Sequence, residues 1–170
     1  MPPCNDQTIP RTDVVAIVWH SRTGASEQMA EAVAEGAGEY ALLRRADNVT
    51  LDELRASGAF VFVCPENLGT MSGMMKEMFD RFYYPLLGQV EGRAYATIVA
   101  AGSDGSGAEA QIDRIVTGWR LKRVADGIIV NFDAQTSEAI LAPKFPLQST
   151  VDDCRELGAG LKEGLQCGVF

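Results

Sequence analysis

Four strand-length apolar runs constrain what this chain can fold into: VVAIVW (14–19), AFVFVC (59–64), AYATIVAA (94–101) and GIIVNF (127–132). None alternates apolar with polar residues, so none reads as having a wet face. Runs of this length, rich in Val and Ile, fit strands covered on both sides, as in a parallel sheet. A fifth, weaker strand is YALLRR (40–45). Between the runs the period becomes helical. Met29, Val33 and Ala37 recur every four residues, and the GAG at 36–38 stops that helix. Met71, Met74, Met75, Met78, Phe79 and Phe82 follow helical spacing, with Lys76–Asp80 and Glu77–Arg81 set for i,i+4 pairs on the other face. Ile112, Ile115, Val116 and Trp119 make a third stripe. Val151, Cys154, Leu157, Leu161 and Leu165 make a fourth, started by Ser149 or Thr150 with Asp152 and Asp153 in its first turn. Residues 50–58 predict a short helix, and residues 133–148, with Pro143 and Pro146, the longest irregular piece.

Strands alternating with helices mean βαβ units with right-handed crossovers. The prediction is an α/β doubly wound, five-stranded parallel sheet with helices on both faces. It forms one domain over residues 13–170 behind a flexible lead-in at 1–12. A net charge of −8 argues against a general nucleic-acid binder, which needs a basic face for phosphates. No apolar run approaches the roughly 18 residues of a membrane span, and the first twelve residues lack the apolar core of a signal peptide. Cys4, Cys64, Cys154 and Cys167 form no C-x-x-C pair, so reduced thiols in a cytoplasmic protein are expected. With His20 the single histidine, a His-based metal site is not expected.

Ligands of an open parallel sheet sit beyond the carboxyl ends of its strands, and three such ends lead into unusual loops. The first, HSRTGAS (20–26), offers Ser21, Arg22, Thr23, Gly24, Ala25 and Ser26 where a helix should begin. A helix start has free N–H groups and a partial positive charge, and the added hydroxyls and Arg22 suit a phosphate; an ordinary N-cap needs only one hydroxyl. The spacing is not a P-loop, which needs G-x-x-x-x-G-K-[ST], nor the dinucleotide G-x-G-x-x-G. Cys64 does not open a C-x₅-R phosphatase loop, since position 70 is Thr. The second loop, CPENLGTMSG (64–73), holds Pro65, Glu66, Asn67, Leu68, Gly69 and Thr70; Pro65 and Gly69 set a turn, and Thr70 or Ser72 caps the Met-rich helix. The third, AAGSDGSGAEA (100–110), contains Ala101, Gly102, Ser103, Asp104, Gly105 and Gly107, whose glycines let backbone approach a flat ligand.

Residues 21–26 match [ST]-x-T-G-x-[ST], the flavodoxin phosphate loop, and PENLGTMSGMMKEMFDRFYYP resembles the loop and helix of flavodoxin-like NAD(P)H-dependent FMN and quinone reductases. The resemblance runs over about residues 13–132. It implies the flavodoxin-like strand order 2-1-3-4-5, FMN held by the three loops, and chemistry carried by the flavin with no catalytic side chain. Two functions follow from it. One is an oxidoreductase passing electrons from NADH or NADPH through FMN to a quinone or other small acceptor. The other is a flavodoxin-type one-electron carrier between partner proteins. A regulatory flavin-binding module is a third class. Flavodoxins usually cover the ring with aromatics from the second and third loops, and neither loop here has one, which favours the enzyme. Dimeric relatives close the site from a second subunit. Tyr83 or Tyr84 of FDRFYYP would do this in a homodimer or homotetramer.

Overall fold

The computed structural model describes residues 12–170; nearly all of the predicted lead-in lies outside them. Strands β1 (Val15–Trp19), β2 (Ala41–Arg45), β3 (Ala59–Asn67) and β5 (Ala94–Ala101) pair in parallel in the order β2-β1-β3-β5. The fifth position is shared by β6 (Lys122–Arg123), alongside Ala94 and Tyr95, and β7 (Ile128–Asn131), alongside Ile98–Ala101. This is the predicted flavodoxin-like order, with the last strand broken in two. β4 (Thr70–Met71) is a small antiparallel addition to the end of β3.

The non-alternating runs are explained by two cores. Val15, Ile17 and Trp19 of β1 point toward α1 (Ala25–Ala37) and α6 (Gln148–Gln166). Ala16 and Val18 point the other way, into the core of α2 (Leu51–Ala56), α3 (Gly73–Leu86) and α4 (Ser106–Gly118). Covered on both faces, such a strand has no polar positions to spend on water. α1 and α6 approach so closely that a Cβ on Gly36 would lie 1.9 Å from the Arg155 carbonyl oxygen, and one on Gly158 2.0 Å from that of Val33.

Several boundaries differ from the sequence expectation. β7 is only half covered, with Ile129 36% exposed, because it is the sheet's edge strand. α6 begins at Gln148 with Leu147 at its N-cap, so Asp152 and Asp153 fall beyond its first turn. The stretch read as irregular contains α5 (Ser137–Leu141), capped by Thr136, whose hydroxyl accepts the Ala139 N–H. The helix at 50–58 forms as α2, with Thr50 and Glu53 making a reciprocal capping box. No helix among the described residues is long and apolar enough to cross a membrane.

Candidate functional site

The carboxyl ends of β1, β3, β5 and β7 face one cavity of about 430 Å³, counting its mouth. On one side stands the start of α1. Gly24 sits there in the left-handed region, φ 98°, which favours glycine, and its N–H donates to Ser21 Oγ at 3.0 Å. Among the described residues no side chain caps the first turn of α1. Ser26 Oγ is buried, with the residue 1% exposed, and finds no partner among the described residues. A buried hydroxyl without a partner costs roughly 1–3 kcal/mol, so an acceptor that reaches it recovers stability. Free N–H groups and a buried donor converging at a helix start suit an anion.

A segment missed by the sequence reading closes this corner. Phe132, Ala134, Ile140 and Lys144 line the cavity, and all follow the last strand. The Lys144 N–H donates to the Thr23 carbonyl at 2.8 Å. Gln28 Nε2 bridges the carbonyls of Gly24 and Lys144, at 3.1 and 3.2 Å. The Lys144 ammonium donates to the carbonyls of Ala139, Ile140 and Ala142, completing the end of α5. The available signal was a cation, Lys144, between Pro143 and Pro146 in the segment that follows the last strand.

The second loop is a hairpin, correcting the turn expected at Pro65. β3 runs on through Pro65 to Asn67, and the reversal occurs at Leu68 and Gly69, with φ 53° and 76°. Met71 belongs to the returning strand and donates its N–H to Gln111 Oε1 of α4 at 3.0 Å. Ser72 is the N-cap residue of α3, but its hydroxyl does not cap the helix and lies 2.9 Å from His20 Nδ1.

The third loop is tied to the second through Glu66, whose Oε1 accepts the Gly105 N–H and Oε2 the Ala108 N–H, each at 2.9 Å. Gly107 presses on the hairpin: a Cβ there would lie 2.2 Å from the Gly69 carbonyl oxygen. Asp104 accepts the N–H and hydroxyl of Ser106.

The cavity wall thus gathers Ser21, Arg22, Thr23 and Ser26 from the first loop, Pro65, Glu66 and Asn67 from the second, and Ala101 and Gly102 from the third. Gly24 and Ala25 shape the first loop from within it. Leu68, Gly69 and Thr70 form the exposed hairpin tip, outside the wall. Ser103, Asp104, Gly105 and Gly107 also lie outside the wall, at and before the start of α4. The aromatic cluster at the end of α3 packs within its own chain on α4. Tyr83 packs on Trp119, whose indole donates to the Tyr83 carbonyl at 2.9 Å, so the cluster lies beside the far end of α4.

Two titratable groups near the first and second loops have shifted pKa values. Burial pushes the Cys64 thiol up to about 12, so its thiolate is not available at neutral pH. Burial, aided by Arg45, holds His20 below its ordinary value of 6.5, so it is neutral at pH 7.

The chain is similar to known proteins in sequence and in fold. Residues 47–126 match the model of a family described as NADPH-dependent FMN reductase. A flavodoxin from Aquifex aeolicus (strain VF5) is 28% identical over 158 residues, covering 88% of this chain and 85% of that protein. Among solved structures, a flavodoxin from the domain Archaea superposes with a TM-score of 0.72 at 18% identity, over 89% of this chain and 98% of that one. A WrbA-like flavodoxin from Agrobacterium tumefaciens gives 0.69 at 21% identity, over 92% and 99%. The rubredoxin oxygen:oxidoreductase from Desulfovibrio gigas gives 0.75 at 14% identity, over 94% of this chain, which spans 37% of that longer protein.

Proposed function

We propose that this chain, a member of the flavodoxin-like family to which NADPH-dependent FMN reductases belong, binds FMN and passes electrons from NADH or NADPH to a quinone or similar small acceptor. The observation that carries FMN binding is the start of α1, with its uncapped first turn and the partnerless Ser26 hydroxyl. Ser21, Thr23 and Ser26 would hold the phosphate, with the N–H groups following Gly24. Arg22 and Lys144 add positive charge at the same corner. The ring would lie against Pro65–Asn67 and Ala101–Gly102, whose hydrogen-bonded loops form a preorganised wall. When bound, the flavin supplies the redox chemistry; the chain binds it, orients it and limits water around it.

Support for the reductase comes from the family match over residues 47–126 and from ring loops without an aromatic cover, which leave room for a nicotinamide. The alternative, a one-electron carrier, is favoured by the Aquifex flavodoxin likeness over 88% of the chain. Rapid mixing of the FMN-loaded protein with NADH and NADPH separates them. The reductase predicts bleaching of the flavin in a single two-electron phase, with steady turnover once quinone is added. No reaction with either nucleotide, together with stepwise one-electron reduction by dithionite, would establish the carrier. Assembly into a homodimer or homotetramer belongs to the same proposal. Tyr84, 77% exposed at the end of α3, offers the surface for a second copy, and light scattering decides it.

A further inference from the structure

A second cavity, about 560 Å³ counting its open side, adjoins the candidate cofactor cavity. The two share Phe132, Ala134 and Lys144 as a common wall. Ala139, Ala142, Pro143 and Phe145 supply most of the rest, with Asp133 at the strand end. The polar backbone of this lining is already engaged. The N–H groups of Phe132 and Ala134 donate to the carbonyls of Ala101 and Gly102, and that of Lys144 to the Thr23 carbonyl. The Ala139 N–H donates to Thr136 Oγ1 and the Ala142 N–H to the Glu138 carbonyl. The Lys144 ammonium donates to the carbonyls of Ala139 and Ala142. The Asp133 carboxylate accepts from Gln135 Nε2. What is left for a ligand is mostly hydrocarbon. The open edge is apolar as well: Phe145 is 73% exposed, and Leu141 and Leu147 of the same segment are also exposed. An exposed apolar cluster at the rim of a cavity marks a binding surface.

We propose that this second cavity is an acceptor subsite: it takes the hydrocarbon side chain of a quinone whose head lies at the cofactor cavity, so the acceptor is a lipophilic quinone. The statement rests on the small-acceptor reading above and names the class of acceptor within it. The common wall supplies the connection. A molecule whose head reaches the first cavity can lay its chain across Phe132 and Ala134 into the second. That wall is fixed at both ends. The Lys144 N–H ties it to the first loop, and the Lys144 ammonium ties it to the end of α5. A dinucleotide suits the second cavity poorly, because its phosphates and adenosine need hydrogen-bond partners, and those of the lining are taken. A hydrocarbon chain needs none. It gains by leaving water, and it would cover the exposed ring of Phe145 as it does so.

The test compares decyl- and methyl-substituted forms of one benzoquinone on oxidised, FMN-loaded protein, with backbone amides followed by NMR. The decyl form should bind at least about tenfold more tightly, since every buried CH₂ adds to the hydrophobic gain. It should shift the amides of Ala139, Ala142 and Phe145, which the methyl form should leave unmoved. Phe145→Ala should remove most of the decyl advantage and Phe145→Leu should keep most of it, with methyl-quinone affinity the same in all three proteins. Both variants should melt like the original protein, because Phe145 is exposed. Equal affinity for the two quinones overturns the proposal, as does a decyl advantage that Phe145→Ala leaves intact. So does a dimer in light scattering that Phe145→Ala dissociates while the decyl advantage is absent, because the apolar edge then belongs to a second copy. Octanol, a chain without a quinone head, should shift the same three amides in flavin-free protein, and their silence would also overturn the proposal. Failure of FMN to bind would defeat the cofactor reading and leave the octanol result readable by itself.

Discussion

Lys144 donates its backbone N–H to the Thr23 carbonyl at 2.8 Å, joining the segment after the last strand to the loop that would hold the phosphate. The Lys144 ammonium meanwhile holds the end of α5 through three carbonyls. Lys144→Met removes those charged hydrogen bonds, each worth at most roughly 1.5–3 kcal/mol and less where water competes. The chain around Ile140 and Lys144 should then loosen from the cavity. FMN should leave about tenfold faster, read as recovery of free-flavin fluorescence after dilution. An unchanged release rate would show that this segment does not retain the cofactor.

Packing of α1 on α6 gives a paired test of stability. Gly158→Ala places a Cβ 2.0 Å from the Val33 carbonyl oxygen, where backbone must move. Overpacking of this kind costs roughly 1–3 kcal/mol. Two residues on, Gly160 has nothing within 4 Å of the added Cβ. There Gly160→Ala should stabilise by about 0.5–1 kcal/mol through the less flexible unfolded chain and better helix propensity. Thermal melting should move in opposite directions for the two variants, by roughly 2–4 °C per kcal/mol. A shift of the same sign in both would contradict the close approach of the helices.

Much of this fold was legible because its signals are local. The apolar runs around Ile17, Val61 and Ile98 report burial on two faces, and residues 21–26 report a helix start with surplus hydroxyls. The errors arose where a tertiary contact outweighs a local pattern. Met71 fits the helical stripe of α3 but is taken into β4 by pairing with Glu66. Ser72 has the chemistry of a cap, yet its hydroxyl faces His20. The run around Ile129 matches a covered strand, but only position in the sheet decides whether a helix lies over it. In the site, spacing located the loops. It did not reveal that Glu66 would reach α4 or that Lys144 would fold back on Thr23, since both bonds join separate segments of the sequence.

His20 predicts a pH dependence. Its imidazole is held below 6.5, first by burial and then by Arg45 and Arg22, with Asp47 opposing. The unfolded chain therefore binds the proton more readily than the folded one between the folded value and 6.5. Stability should fall as pH drops through that window and level off below the folded value. Urea midpoints measured from pH 7.5 to 5 should show this loss. His20→Gln should remove its own part of the slope while leaving that of the carboxylates. If His20→Gln leaves the slope unchanged, the imidazole is not the group that titrates.

Ser26→Ala should move stability and affinity in opposite directions. Ser26 Oγ is a buried polar atom without a partner among the described residues. Removing it relieves a desolvation cost of roughly 1–3 kcal/mol, offset in part by the small space left behind. The flavin-free variant should melt higher than the original protein. A hydrogen bond to the charged phosphate is worth roughly 1.5–3 kcal/mol, so FMN affinity should fall about ten- to a hundredfold. Riboflavin, which lacks the phosphate, should bind both proteins equally. Thr23→Ala should repeat the FMN loss with riboflavin unchanged, but without the rise in melting temperature, because Thr23 is only half-buried at the cavity wall. Equal losses of FMN and riboflavin would mean that the hydroxyls support the ring or the fold. A lower melting temperature for Ser26→Ala would mean that the hydroxyl already has a partner in solution, and the start of α1 would lose its claim to the phosphate.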